Sequence, residues 1–185
     1  MVLALPLVIG VVAALPFGGR VRNLGAARFH WLRLAYVALA FQVAAFPGGS
    51  LPWRTPDAAA VGLWIASDLL LAAVVLRNVR SPGVALIAAG LASNLLAVVA
   101  NGGHMPALPQ ALADAGLHYT RSMNSELMAH PALSWLVDRW AAPHWIPLAN
   151  IFSVGDVAIA VGGFVVGLCL TGARVPGRRP RPATT

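Results

Sequence analysis

The chain is expected to fold as an all-α integral membrane protein, a helical bundle of about five transmembrane helices with a long extracytoplasmic loop. Three observations lead there. Hydrophobic residues make up 58% of its 185 residues and charged ones only 10%, where soluble domains carry roughly 25% charge. The apolar residues gather in five runs, near 2–17, 30–47, 58–76, 82–100 and 150–171. All the basic residues except Arg33 fall between those runs or after the last of them. A bilayer would solvate such a chain; water would not.

The first run is short against the roughly 17–25 residues of an ordinary span, and Pro6 and Pro16 blur its ends. No basic stretch precedes it, whereas Arg20, Arg22 and Arg28 follow it. That order predicts a retained helix with its N-terminus outside, not a cleaved signal. The other four runs have adequate length. All five are too uniformly apolar to be one-sided surface helices.

The connection at 101–149 is longer than ordinary bundle loops, which marks it as a functional element. It opens with NGGHMP. Gly102 and Gly103 can cap a helix exit with positive φ, and Pro106 is expected to start the next helical turn. A weak helix over 108–117 should stop at Gly116. In PALSWLVDRWAAPHW, residues Leu133, Leu136, Val137 and Trp140 have helical spacing. This predicts an interfacial helix with Asp138 and Arg139 pointing away, anchored by Trp135, Trp140 and Trp145. The transmembrane domain is thus taken as 1–172, and 173–185 as an unstructured basic tail.

All thirteen basic residues are arginine, against six acids, for a net charge of +7. Their placement fits membrane orientation, and no nucleic-acid partner is expected. With the N-terminus outside, nine arginines (20, 22, 28, 77, 80, 174, 178, 179, 181) fall on the cytoplasmic side. Arg54, Arg121 and Arg139 fall on the other, and Arg33 can snorkel from the start of the second helix. The expected partners are the lipid bilayer and a homo-oligomer or larger membrane complex. Cys169, the single cysteine, lies in an apolar run, so no disulfide framework exists. A short echo, ASDLLLAAVV against ASNLLAVVA, is read as coincidence.

Polar residues within the apolar runs are the candidate site, because the bilayer penalises them. Asp68 falls near mid-membrane, and Asp156 early in the last helix. Asn94 and Asn101, seven apart, share a helical face; His104 follows them, and Gln42 sits in the outer half of the second helix. Asn150 or Ser153 can cap the last helix, with Asp156 where the helix dipole favours negative charge. Gln42, Asp68, Asn94, Asn101, His104, Asn150, Ser153 and Asp156 are therefore the expected ligand or proton site. The competing reading is interhelical glue. Gly155, Gly162, Gly163 and Gly167 should allow close helix packing.

No catalytic residue, metal or cofactor is assigned. Glu126 and His130 have i, i+4 spacing, which could hold a metal on a helix, but no HExxH is present, and His104, His118 and His144 are read as non-ligating. No GxSxG, phosphate-loop or dinucleotide fingerprint occurs, and Ser122 and Ser125 form no ordered arrangement with the histidines.

The order GGRVRNL, Gln42 in an apolar helix, NGGHMP–ALPQALADAG and IFSVGDVAIAVGG resembles an uncharacterised bacterial membrane family, catalogued as a domain of unknown function. The resemblance runs from Gly18 to about Gly163. It implies a small polytopic protein of the bacterial plasma membrane and brings no established activity. Three functional readings follow. The first is a structural, accessory or assembly component of a membrane complex. The second is a small transporter or ligand-binding protein using Asp68, Asn94, Asn101 and Asp156. The third is an outer-leaflet enzyme acting on a lipid or quinone through His104 or Glu126.

Overall fold

The computed structural model describes residues 4–26, 29–45, 55–116, 125–143 and 151–173. Five longer helices coincide with the five apolar runs: α1 (Ala4–Ala14), α2 (Leu32–Ala45), α3 (Asp57–Arg77), α4 (Val84–Ala100) and, last in the chain, α6 (Val154–Leu170). Between α4 and α6 come β1 (Met105–Ala107), the short α5 (Pro109–Asp114), β2 (Ser125–Leu127), β3 (Trp140–Ala141) and β4 (Ile151–Phe152). The protein is mostly helical. Among these helices α3 alone, with 21 residues and mean hydropathy 2.2, is long and apolar enough to cross a membrane.

The other helices end sooner for identifiable reasons. Around Pro16, α1 gives way to a 3-10 turn over Leu15–Phe17, closed by Gly18 at φ 79°. Helix α4 stops at the paired glycines, where the Gly103 amide bonds the Val98 carbonyl at 2.9 Å. Helix α6 starts at a capping box on Ser153, not at residue 150.

The principal contacts join the helices in the spatial order α1, α6, α4, α3, α2. Helix α6 therefore lies between the first and fourth helices. The join between α4 and α6 is made at two points, two helical turns apart, where the helices run in opposite directions. A Cβ on Gly90 would overlap the carbonyl oxygen of Gly155, and one on Gly83 that of Gly162. On the other side of α6, a Cβ on Gly10 would overlap the carbonyl of Phe164, and one on Gly167 that of Leu7. The expected role of glycine in α6 holds at 155, 162 and 167. Its matching glycines on α1 and α4 complete the contact.

Two polar joints fix one end of the bundle. The Arg20 amide and Asn23 Nδ2 donate to the Thr171 carbonyl at 2.9 and 2.8 Å, tying α1 to the end of α6. Asn78, buried at the end of α3, exchanges two 2.9 Å bonds with the backbone of His30, just before α2. This end gathers Arg20, Arg22, Arg33, Arg77 and Arg80, with no acid. The opposite end holds Asp57, Asp114, Glu126, Asp138 and Asp156, with Arg139 as its one described cation.

The chain between α4 and α6 folds into a cap over that acidic end. Strand β1 pairs in parallel with β2, β3 pairs antiparallel with β4, and Asp138 bridges to Ala107. Ala97 and Val98 of α4 pack with Met105, Leu136 and Val137 of the cap, flanked by Trp64 of α3. A second cluster, Ala107, Ala111, Ala115 and Ile151, is the cap's own core.

Three expectations for this region need correction. The segment 131–140 is not an interfacial helix but a run of turns that enters β3, with Leu133 at φ 52°. The Asp138 amide donates to the Pro106 carbonyl, the Leu108 amide to the Asp138 carbonyl, and the Arg139 amide to the Phe152 carbonyl, all between 3.0 and 3.2 Å. These bonds to β1 and β4 outcompete a local helix, and they turn Asp138 inward instead of outward. Pro106 does not start a helix; it is fully buried in β1, and Pro109 starts α5 instead. Glu126 lies in β2, so it has no helical spacing to His130. The weak helix expected over 108–117 is present as α5, closing at Gly116 with φ 65°. Trp145, His118, His144 and the tail from 174 lie outside the described residues.

Packing at the α4–α6 join gives a first prediction. Gly90→Ala should destabilise the protein in detergent by about 1–3 kcal/mol, because the helices must separate to admit the methyl group. Gly62→Ala on α3 meets nothing within 4 Å and should leave stability unchanged or raise it. Thermal or denaturant unfolding of the two variants side by side checks this.

Candidate functional site

Among the described residues, hydrogen bonds do not join the candidate polar residues into one cluster. They divide into a network at the start of α6, a clamp on the cap, and residues standing apart.

The network begins with the S-V-G-D stretch at 153–156. Ser153 is the N-cap of α6: the Asp156 amide donates to Ser153 Oγ at 3.2 Å, and the Ser153 amide donates to Asp156 Oδ2 at 2.9 Å. Each side chain thus satisfies an amide that the helix geometry leaves without a partner. Asn94 reaches across from α4, and its Nδ2 donates to Asp156 Oδ1 at 2.9 Å. Ser153 Oγ lies 2.8 Å from Asp156 Oδ2 and 3.0 Å from Asn94 Oδ1, and its single proton serves one of them at a time. The carboxylate sets the amide orientation, since a flipped Asn94 would aim oxygen at oxygen. Gly155 backs this join: a Cβ there would strike the Asn94 side chain.

Asn101 forms the clamp. Its Oδ1 accepts from the Ala132 amide at 2.8 Å, while Nδ2 donates to the Ala132 carbonyl at 3.0 Å and to the Ala97 carbonyl at 2.7 Å. The C-cap residue of α4 thereby pins the turns at 131–135.

Asp68 and Gln42 are half-buried on α3 and α2, and no described hydrogen bond joins either to the network. His104 is half-buried in the turn after α4. Asn150 lies outside the described residues. No group of three or more His, Cys, Asp or Glu side chains among the described residues is placed to hold a metal ion.

Sequence reasoning missed Asp138. Only 8% of it is exposed. Burial, reinforced by repulsion from Asp156, pushes its carboxyl up from the ordinary 3.8 to about 8. It therefore holds its proton near neutral pH beside an acid that completes a helix cap. A D-R pair inside a helix-like pattern reads as a solvated face, and nothing local signals the bridge to Ala107 that buries it.

A family model described as a family of unknown function, DUF5317, matches residues 26–168. The chain belongs to this family. No curated protein and no solved structure gives a match. The region matched in DUF5317 takes in α2 to the greater part of α6, and with them the whole cap and the Asn94–Ser153–Asp156 network.

The Asp138 shift makes stability depend on pH. The folded state binds this proton more tightly than the unfolded chain, so the contribution of Asp138 to stability is full below about 4, is lost as pH rises through the 4–8 window, and is gone above 8. Unfolding measured across that window should show the decline in the native protein and a flatter profile in Asp138→Asn.

Proposed function

We propose that this is a small multi-pass protein of the bacterial plasma membrane, acting as a structural or accessory component of a membrane complex. The distribution of side-chain size carries the membrane reading. Small residues close the joins between helices at Gly10, Gly90, Gly155, Gly162 and Gly167, and Ala14, Ala38 and Ser67 are buried as well. Large apolar side chains face outward on each of the five longer helices, as at Val12, Leu39, Leu69, Leu96 and Val161. Water would penalise each such exposed side chain by about 1.5–3 kcal/mol relative to burial. Lipid removes the penalty, and small-residue interfaces are how helices associate where the hydrophobic effect no longer drives them. Helices α4 and α6, with 17 residues, would extend about 26 Å at 1.5 Å per residue, against a hydrocarbon core of roughly 30 Å.

Separation of charge supports the orientation. The arginine end is the cytoplasmic side under the positive-inside rule, which places the cap and the N-terminus outside.

Two features favour the accessory role over transport. The side-chain oxygens and nitrogens of Asn94, Ser153 and Asp156 are engaged with one another or with the cap backbone of α6. A solute would have to displace those bonds. The principal helix contacts also run as an open series, with α1 and α2 at its two ends. Such a row offers lateral faces to neighbouring proteins and does not enclose a path.

Two measurements test this. In a Cys169→Ser background, Ser134→Cys in the cap should react with an impermeant maleimide added to intact cells, and Ser81→Cys should react only after lysis. The opposite pattern refutes the orientation, and equal labelling refutes insertion. Native mass spectrometry of gently extracted protein should show a stoichiometric protein partner. A lone chain that transports a solute in liposomes, with loss of transport in Asp156→Asn, would replace the accessory reading with the transporter one.

A further inference from the structure

The cap carries a cleft that the network does not use. It encloses about 370 Å³ and is lined by Leu108, Ala129, His130, Pro131, Ser134 and Arg139. Its walls are rigidly founded. The Asn101 clamp holds Ala132 by both its amide and its carbonyl, the Met128 amide donates to the Ala107 carbonyl at 3.1 Å, and the Arg139 amide is tied to β4. Between these anchors Leu133 takes φ 52°, a conformation unfavourable for a bulky residue. Its side chain packs on the Val98–Met105–Leu136 cluster, which fixes the turn and with it the position of Ser134.

Arg139 is the unusual member. It is the one described cation at an end that holds five acids, yet it forms no ion pair with any of them. Its guanidinium instead lies 5.3 Å over the Trp140 ring, and Trp140 stands 6.0 Å from Phe152. The aromatic shelf orients the planar guanidinium without occupying its N–H donors. The nearest acid in sequence, Asp138, is buried and protonated near neutral pH, so it does not neutralise the arginine. Ser134 and His130 add a hydroxyl and an imidazole to the same cleft.

We propose that this cleft binds a phosphate group, gripped by the Arg139 fork and completed by Ser134 and His130. Guanidinium geometry matches the paired oxygens of phosphate. Trp135 and Trp140, both exposed, are residues suited to the headgroup level of a bilayer, where phosphate is the most abundant anion. The phosphate then comes from a lipid headgroup or from a free phosphate. Only the lipid source rests on the membrane reading, and the labelling experiment above tests that reading independently.

The test uses the full chain, delipidated in an uncharged detergent. Phosphorus NMR follows the linewidth of short-chain phosphatidylglycerol and, separately, of inorganic phosphate as protein is added. The native protein should broaden the lipid resonance. Arg139→Gln should weaken binding about tenfold or more, Ser134→Ala less, and Arg80→Gln at the opposite end not at all. Broadening of the lipid alone assigns a headgroup site; broadening of both assigns a general phosphate site. Gel filtration verifies that each variant is folded, and Ser134→Ala with His130→Gln carries the test if Arg139→Gln is not. No broadening of either ligand by the native protein, or equal binding by the cleft variants, overturns the proposal.

Discussion

Helix α6 reaches both α1 and α4 only because its contact positions lack side chains. At Gly155, Gly162 and Gly167 its backbone lies against the backbone or an amide side chain of a neighbour, and the neighbours supply Gly10, Gly83 and Gly90 in return. Contact this close gains dispersion energy along the whole join and leaves no room for a methyl group at those points. It also determines the chain's spatial order. The last helix becomes the middle of the group formed with the first and fourth, and the large apolar residues are left to face outward.

The same join sets the acidic end. Because α4 and α6 touch at Gly90 and Gly155, Asn94 lies one turn beyond the contact and meets the α6 cap. The Ser153–Asp156 box would stabilise the helix start by itself; Asn94 links it to α4. Seven residues on, Asn101 repeats the action on the cap. Asn94 on α4 and Asn101 at its C-cap therefore hold the start of α6 and the turns at 131–135. Asp138 follows from that closure. The ladder bonds on either side of it force its side chain inward, toward Asp156, and burial leaves it protonated near neutral pH.

Much of this was legible in the sequence. The ends of the five longer helices lie within four residues of those of the apolar runs, because long uniform hydropathy is a strong signal. The N-cap at Ser153, the exit at Gly102 and Gly103, and the α6 glycines were readable because each rests on local backbone chemistry. The cap was not. Leu133, Leu136, Val137 and Trp140 have helical spacing, but non-local bonds from Asp138 and Arg139 to β1 and β4 decide their conformation. Gln42, Asp68 and His104 looked like partners of Asp156 by depth alone. Depth does not reveal lateral order, and α2 lies at the far end of the series from α6.

The central claim is that Asn94 and Asp156 couple α4 to α6 and so organise the acidic end of the bundle. A double-mutant cycle of Asn94→Ala and Asp156→Ala, read by reversible unfolding in detergent, measures that coupling. A charge-assisted bond in this setting predicts a coupling free energy of about 1–3 kcal/mol. Additive effects of the two substitutions would contradict the account, because the two side chains would then act independently.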